Sequence, residues 1–324
     1  MKQVGIICGG FSSEHEISVK SATTIRDHFP KEYAVYLVHM NRSGWQIEVN
    51  GELYDFDSKN FEATVNNETI KIDLAIVYIH GDPGENGKLQ AYLEMIGIPY
   101  VNSGPLASEL SFDKWFCNQF LKGFGVNVAD SIYLRSKNES IDEAQIVARL
   151  GLPIFVKPCD SGSSYGIARV EKQEDLKFAI NAAFEEGRTV VLEAFLKGTE
   201  VTCGVYRSEN GLVALPLTEI VSKNAFFDFE AKYKGLSDEI TPARISDELT
   251  LKIQEASKEI YDLMQLRSIA RIDYMLVDDV PHVIEVNTTP GFSAESLVPQ
   301  MIAVAGKTIT EFWSEILAVE VQNQ

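Results

Sequence analysis

Two apolar stretches near the end of the chain, Ile269–Leu276 and His282–Asn287, carry polar groups at alternate positions. Side chains on a strand alternate between faces, so residues i and i+2 share one side. Arg271 and Asp273 therefore share a face of the first strand, and Glu285 and Asn287 a face of the second. The second strand breaks at once into Thr-Thr-Pro-Gly, while Val283, Ile284 and Val286 supply apolar packing. If the two strands pair antiparallel, Asp273 faces Glu285 and Asn287, and three oxygen ligands converge. Such a set suits magnesium, which takes a few carboxylates together with substrate phosphates. Taken alone, the acids on either strand also suit a solvated sheet face. Arg271 beside them is placed to clamp a phosphoryl group or a developing oxyanion.

The rest of the sequence supplies βα alternation. Val4–Cys8 reads as a buried strand, followed by Gly-Gly and a helix near Ile17–His28. Tyr33–Val38 and Leu74–Ile79 read as further strands, with a helix near Lys88–Met95 and a short strand at Pro99–Val101. That order implies a parallel sheet. Trp45–Val49 and Glu52–Phe56 flank Asn50-Gly51, the strongest two-residue hairpin signal. A boundary falls near 103–110. Beyond it come a helix around Lys114–Phe124, a helix boxed by Ser140 and Glu143 and ended by Gly151, and a strand at Ile154–Lys157. A helix at Leu176–Phe184 and strands at Thr189–Glu193 and Val201–Val205 follow. Leu249, Ile253, Ala256, Ile260 and Leu263 form one apolar stripe of a long helix. Helices around Val298–Val304 and Ile309–Ala318 close the chain. The class is α/β, becoming α+β in the C-terminal part, in three units: 1–104, 105–192 and 193–324.

Composition narrows the function. The chain has 324 residues, 45% hydrophobic and 23% charged, and no apolar run of membrane length. The start, MKQVGIICGG, lacks the long apolar core of a signal peptide. Four scattered cysteines without a CxxC pair argue against zinc or a disulfide framework and for a reducing compartment, so a cytoplasmic protein is expected. A net charge of −18 repels nucleic acid and anionic membranes, so neither is an expected partner. Against that background the stretch KPCDSGSSYG (157–166) stands out. A Gly/Ser loop after an apolar strand, with Lys157 at the strand end, is a good phosphate cradle, though its spacing is not that of a P-loop. An ordinary surface loop with a solvated lysine fits that stretch as well.

Taken together, these segments resemble the D-alanine–D-alanine ligases of the ATP-grasp superfamily. The resemblance covers nearly the whole chain. It runs through GGFSSEHEIS (9–18), HGDPGENGKLQ (80–90), FDKW (112–115), VKPCDSGSSYG (156–166) and LEAFLKGTEVT (192–202). It continues through FFDFEAKY (226–233) and RIDYML…IEVNTTPGFSAESLVP (271–299). It implies an ATP-grasp fold preceded by a Rossmann-like parallel-sheet domain, and ATP-dependent joining of two D-alanine molecules through an acyl phosphate. It implies Asp273, Glu285 and Asn287 as ligands of two magnesium (or manganese) ions, with Arg271 and the Gly291 backbone N–H as oxyanion stabilisers. Lys114, Lys157 and Lys232 would meet ATP phosphates, beside Ser164 of the Gly/Ser loop. Glu193, Ala194, Phe195 and Leu196 would form the adenine hinge, and Glu200 would contact the ribose. Glu14 would hold the first D-alanine's ammonium, with Ser163 and Tyr233 hydrogen-bonded to it and His80 nearby. Ser296 and Leu297 would contact the second amino acid. A homodimer is also implied, with the Gly/Ser loop and a long 222–242 loop as lids over the intermediate.

Plainer roles compete at several of these positions. Glu14 also suits a helix N-terminus, with Ser12 or Ser13 as its cap, and His80 suits a structural histidine. The resemblance is imperfect: Asn86 stands where many relatives have Asp, Phe227 and Phe229 where many have Tyr, and Ala194 where a larger residue is frequent. Tyr233 favours D-alanine over D-lactate as acceptor, although ligases using D-serine, D-lactate or another amine share the same frame. An NAD-dependent oxidoreductase would need GxGxxG opening a helix, which CGGFSS (8–13) does not supply. A silent nucleotide-binding protein would be expected to lack a metal ligand, and all three are present.

Overall fold

The computed structural model describes residues 1–162, 165–222 and 237–322. The first part holds β1 (Lys2–Gly9), α1 (His15–Asp27), β2 (Tyr33–Asn41), β3 (Gly44–Val49), β4 (Glu52–Asp55), β5 (Glu62–Val65) and β6 (Glu68–Lys71). It ends with β7 (Leu74–Val77), α2 (Lys88–Ile96) and β8 (Tyr100–Val101). Strands β1, β2, β7 and β8 pair in parallel, and the sheet order is β4-β3-β2-β1-β7-β8. β1 is buried along most of its length, which is why it reads as a continuous apolar run rather than an alternating one. The turn at Asn50-Gly51 has φ of 53° and 83°, both left-handed, so it closes the hairpin as its sequence predicts. The β5–β6 hairpin turns on Asn66-Asn67, at φ of 51° and 66°.

The middle part comprises α3 (Pro105–Phe112), α4 (Lys114–Gly123), β9 (Ser131–Leu134), α5 (Glu143–Leu150), β10 (Ile154–Pro158), β11 (Ala168–Val170), α6 (Leu176–Glu186) and β12 (Val190–Ala194). Its strands form an antiparallel sheet ordered β11-β10-β12-β9. The box expected from Ser140 and Glu143 does not form. Asp142 caps α5 instead, its carboxylate accepting the Gln145 N–H at 3.1 Å, because the helix begins at Glu143 itself.

The third sheet is antiparallel and ordered β16-β15-β13-β17-β18, with β14 also on β13. It uses β13 (Thr199–Ser208), β14 (Gly211–Ala214), β15 (Thr218–Ser222), β16 (Ser237–Ile240), β17 (Ile269–Val277) and β18 (Val280–Asn287). The stretch read as a 222–242 loop is therefore strand at its described ends, where β15 and β16 pair. Helix α7 (Asp247–Leu263) covers this sheet, burying Leu249, Ile253, Ser257, Ile260 and Tyr261. Ala256 and Leu263, read as part of the buried stripe, are only partly covered. Two hydroxyls turn the helix: Ser257 meets the Tyr274 hydroxyl at 2.8 Å, and Tyr261 donates to the Ser268 carbonyl at 2.8 Å.

The last helices, α8 (Leu297–Val304) and α9 (Ile309–Glu320), return to the first sheet. Phe312, Trp313 and Ile316 are fully buried with Ile6, Ile25 and Tyr78 in one cluster. The segment between β18 and α8 is thereby pressed against the C-terminal ends of the parallel strands, where open α/β sheets place ligands.

Candidate active site

Two cavities adjoin where the sheets meet. The larger, about 460 Å³, is lined by Glu14, His80, Arg271, Asn287, Gly291, Ser296 and Leu297 among others. The smaller, about 120 Å³, is lined by Phe155, Lys157, Glu193, Ala194, Leu196, Glu200 and Asp273 among others. Lys114, Ile167 and Glu285 line both.

At the junction, β17 and β18 pair antiparallel, with Asp273 opposite Glu285 and Arg271 opposite Asn287. The strands bring together the residues that alternation predicted. A bulge follows Asp273, shifting register toward Tyr274 and twisting the strand at the site. Arg271 donates to both Asp273 oxygens at 2.8 Å, a bidentate pair. Asn287 Nδ2 donates to the same carboxylate at 3.2 Å, and the Thr202 hydroxyl donates to it at 2.5 Å. Val283 and Val286 are buried, but Ile284 lines the smaller cavity rather than the core. Among the described residues no three His, Cys, Asp or Glu side chains gather as a metal cage. Two carboxylates and an amide oxygen at a cavity junction do fit magnesium, which completes its octahedron with water and phosphate oxygens.

On the opposite wall, Lys157 Nζ lies 2.6 Å from Glu193 Oε2, with Glu193 buried and Lys157 largely so. Burial alone would lower the lysine's pKa, but the charge and hydrogen bond of Glu193, with Glu285 and Glu200, hold it above the ordinary value. Asn118 donates to the other Glu193 oxygen at 3.1 Å. Lys114 begins α4, capped by Asp113, and donates to the Ser161 carbonyl at 2.5 Å. Phe195 departs from its neighbours: its ring packs on Phe155 at 5.9 Å and under Arg169 at 4.7 Å. Ser163, Ser164, Phe227, Phe229, Lys232 and Tyr233 lie outside the described residues.

Glu14 is the buried N-cap residue of α1, without a side-chain cap bond. The Ser12 hydroxyl accepts the Glu14 N–H at 3.2 Å and donates to the His80 carbonyl at 2.8 Å, so it fixes the turn rather than the helix. A Cβ at Gly162 would come within 2.6 Å of Glu14 Oε2, so glycine there lets the Gly/Ser loop approach this carboxylate without displacing it. Ser296, the N-cap residue of α8, accepts the Ser293 N–H at 3.0 Å.

Two wall residues escaped the sequence reading. Glu239, on β16, accepts from Gln300 at 3.0 Å, and burial raises its pKa. Glu85 accepts the Gly81 N–H at 2.7 Å, and burial, with the nearby charge of Glu14, pushes it up to about 8. The stretch HGDPGENG held that signal, but only His80 and Asn86 were singled out in it. Between about pH 4.5, the ordinary glutamate value, and about 8, the folded chain holds a proton on Glu85 that the unfolded chain has lost. That contribution to stability is fully present below about pH 4.5 and disappears as pH rises through about 8. Glu85→Gln should remove this slope. Thermal denaturation from pH 5 to 8 should show the variant's Tm falling less than the parent's, and parallel curves would rule the effect out.

Two family models match the sequence: one described as D-ala D-ala ligase N-terminus over residues 3–103, and one described as D-ala D-ala ligase C-terminus over residues 120–318. The D-alanine–D-alanine ligase of Parabacteroides distasonis is 46% identical over 326 residues, covering 100% of this chain and 98% of that protein. That of Porphyromonas gingivalis is 44% identical over 317 residues, covering 97% and 96%. Among solved structures, the VanG D-Ala:D-Ser ligase from Enterococcus faecalis superposes with a TM-score of 0.87 at 30% identity, covering 98% of this chain and 99% of that one. A Bacillus anthracis D-alanine–D-alanine ligase complexed with ATP gives 0.80 at 27% identity, covering 100% and 98%.

Proposed function

The chain belongs to the D-alanine–D-alanine ligase family, and from that premise we propose that the two adjoining cavities join two D-alanine molecules at the expense of ATP. The product serves peptidoglycan precursor synthesis. The observation that carries this reading is the junction itself. Acids and an amide from β17–β18 meet the buried Lys157–Glu193 wall across a shared Lys114 and Glu285.

The smaller cavity takes the nucleotide, with Glu193, Ala194, Phe195 and Leu196 along the base and Glu200 at the ribose. Lys114, Lys157 and, by sequence position, Ser164 and Lys232 meet the phosphates. Glu14 holds the ammonium of the first D-alanine in the larger cavity, with Ser163 and Tyr233 as its partners. A carboxylate oxygen of that D-alanine attacks the γ-phosphorus, the bond to the bridging oxygen breaks, and ADP leaves. The second D-alanine, held by Ser296 and Leu297, attacks the acyl carbon through its neutral amine. Arg271 and the Gly291 N–H stabilise the oxyanion until phosphate departs and the nitrogen loses its proton. Asp273, Glu285 and Asn287 would hold magnesium, which when bound draws charge from the phosphate oxygens. Cavity walls exclude the water that would hydrolyse the acyl phosphate.

The reading includes a homodimer and a cytoplasmic location, both carried over from the family. Among the described residues no helix is long and apolar enough to cross a membrane. The test is ATP-dependent phosphate release by purified protein over a panel of D- and L-amino acids and D-lactate, with product analysis. Release requiring D-alanine and yielding D-alanyl-D-alanine is expected. Equal release with L-alanine, or none with D-alanine, would overturn the proposal, and a product containing D-serine or D-lactate would reassign the acceptor.

A further inference from the structure

Residues 288–292 open the segment that joins β18 to α8. Thr288, Thr289, Pro290 and Phe292 are buried, and Gly291 alone is partly open, at the wall of the larger cavity. Thr289, Pro290 and Phe292 are each held by a side chain from residues 1–104. Asn102 Nδ2 donates to the Thr289 hydroxyl at 3.1 Å and to the Val77 carbonyl at 2.9 Å, tying the run to β7. The Tyr78 hydroxyl donates to the Pro290 carbonyl at 2.8 Å. The Phe292 N–H donates to Ser21 Oγ at 3.1 Å, and that oxygen lies 3.2 Å from His80 Nε2. The His80 ring also makes a hydrogen bond with the Thr289 backbone that favours its protonated form, so the backbone group is an acceptor.

These contacts favour one assignment of the protons. A neutral imidazole has one N–H, and the Thr289 carbonyl takes it. Nε2 is then an acceptor and receives the Ser21 hydroxyl proton, leaving that oxygen's lone pair for Phe292. His80 is buried, and desolvation lowers its pKa, in keeping with a neutral ring. Thr289 and Phe292 bracket Gly291, so one hydrogen-bonded path closes around it.

We propose that Ser21 and His80, aided by Tyr78, form a clamp that sets the position of the Gly291 N–H, which makes Ser21 a positioning residue for the ligation. Ser21 is fully buried on α1 and cannot touch substrate. It acts through the segment it holds. The inference rests on the proposed role of Gly291 and gives His80 a task separate from contact with D-alanine. A donor displaced by about 1 Å from a developing oxyanion costs up to about a hundredfold in rate.

The test combines kinetics with amide hydrogen exchange on the full-length protein. Ser21→Ala should lower kcat by about tenfold or more, with the KM for ATP changed less than about twofold. It should also speed exchange at Gly291 and Phe292. Tyr78→Phe, which keeps the ring packing against Phe292, should move both readouts in the same direction and serves if Ser21→Ala folds poorly. Ser21→Ala combined with His80→Asn should cost no more than the worse single change, as members of one unit do. Unchanged exchange at 291–292, unchanged kcat, a loss confined to KM, or additive losses in the double variant would each overturn the clamp. If the parent protein forms no D-alanyl-D-alanine, the proposed function fails instead, and the exchange rates still report whether the clamp holds the segment.

Discussion

Glu285→Gln is expected to lower turnover by about a thousandfold or more while leaving thermal stability close to the parent. Glu285 lines both cavities, and the amide keeps its volume and much of its hydrogen bonding. What it removes is one negative charge from a site proposed to hold a divalent cation against phosphate. Metal-ion stabilisation of a phosphoryl-transfer transition state is worth several kcal/mol, and each ~1.4 kcal/mol is a factor of ten. Asp273→Asn should behave differently. It too should abolish activity, but Asp273 is clasped by Arg271, Asn287 and Thr202. Breaking a largely buried ion pair costs about 3 kcal/mol because the guanidinium stays behind without its counter-charge. Phosphate release and differential scanning calorimetry on the two variants separate the cases. A Glu285→Gln variant with more than about a tenth of parental turnover would remove Glu285 from the metal site.

Lys157→Met should be nearly as costly, and for two reasons at once. The ammonium is proposed to meet ATP phosphate, and it also neutralises Glu193 at 2.6 Å in a buried wall. Without it, the side-chain partner that Glu193 keeps among the described residues is the Asn118 amide. A stability loss of about 3 kcal/mol is expected near neutral pH. ATP affinity should fall by about a hundredfold, the loss of one charge-assisted contact of about 3 kcal/mol. Calorimetric titration of ATP into the variant checks the second effect and thermal denaturation at neutral pH the first. Unaltered ATP binding would place Lys157 in the structure of the wall only.

What could be read from the sequence follows from the range of each interaction. The metal-face quartet of Arg271, Asp273, Glu285 and Asn287 was legible because strand alternation is a two-residue rule and the connecting turn is short. The Asn50-Gly51 hairpin was legible for the same reason. The Asn66-Asn67 hairpin was not, because asparagine reaches left-handed φ without announcing it as glycine does. Ser140 and Glu143 matched a cap pattern, yet Asp142 stood nearer the first turn and took its N–H. Glu85 and Glu239 owe their placement to burial against distant elements, which periodicity cannot register. Ser21 is the extreme case: its partner Phe292 lies 271 residues away. Its single hydroxyl in an otherwise ordinary helix gives no local sign of the contact.

The acyl phosphate is the centre of the account, and the fate of one oxygen tests it most directly. D-Alanine labelled with ¹⁸O in its carboxylate, turned over with unlabelled ATP, donates one carboxylate oxygen to the γ-phosphorus. When the second amine displaces phosphate, that oxygen leaves with it. Mass spectrometry of the released inorganic phosphate should find one ¹⁸O per phosphate, accompanied by ADP. Unlabelled phosphate, or label appearing in AMP, would mean that the carboxylate is activated another way, and the chemistry assigned to this site would be wrong.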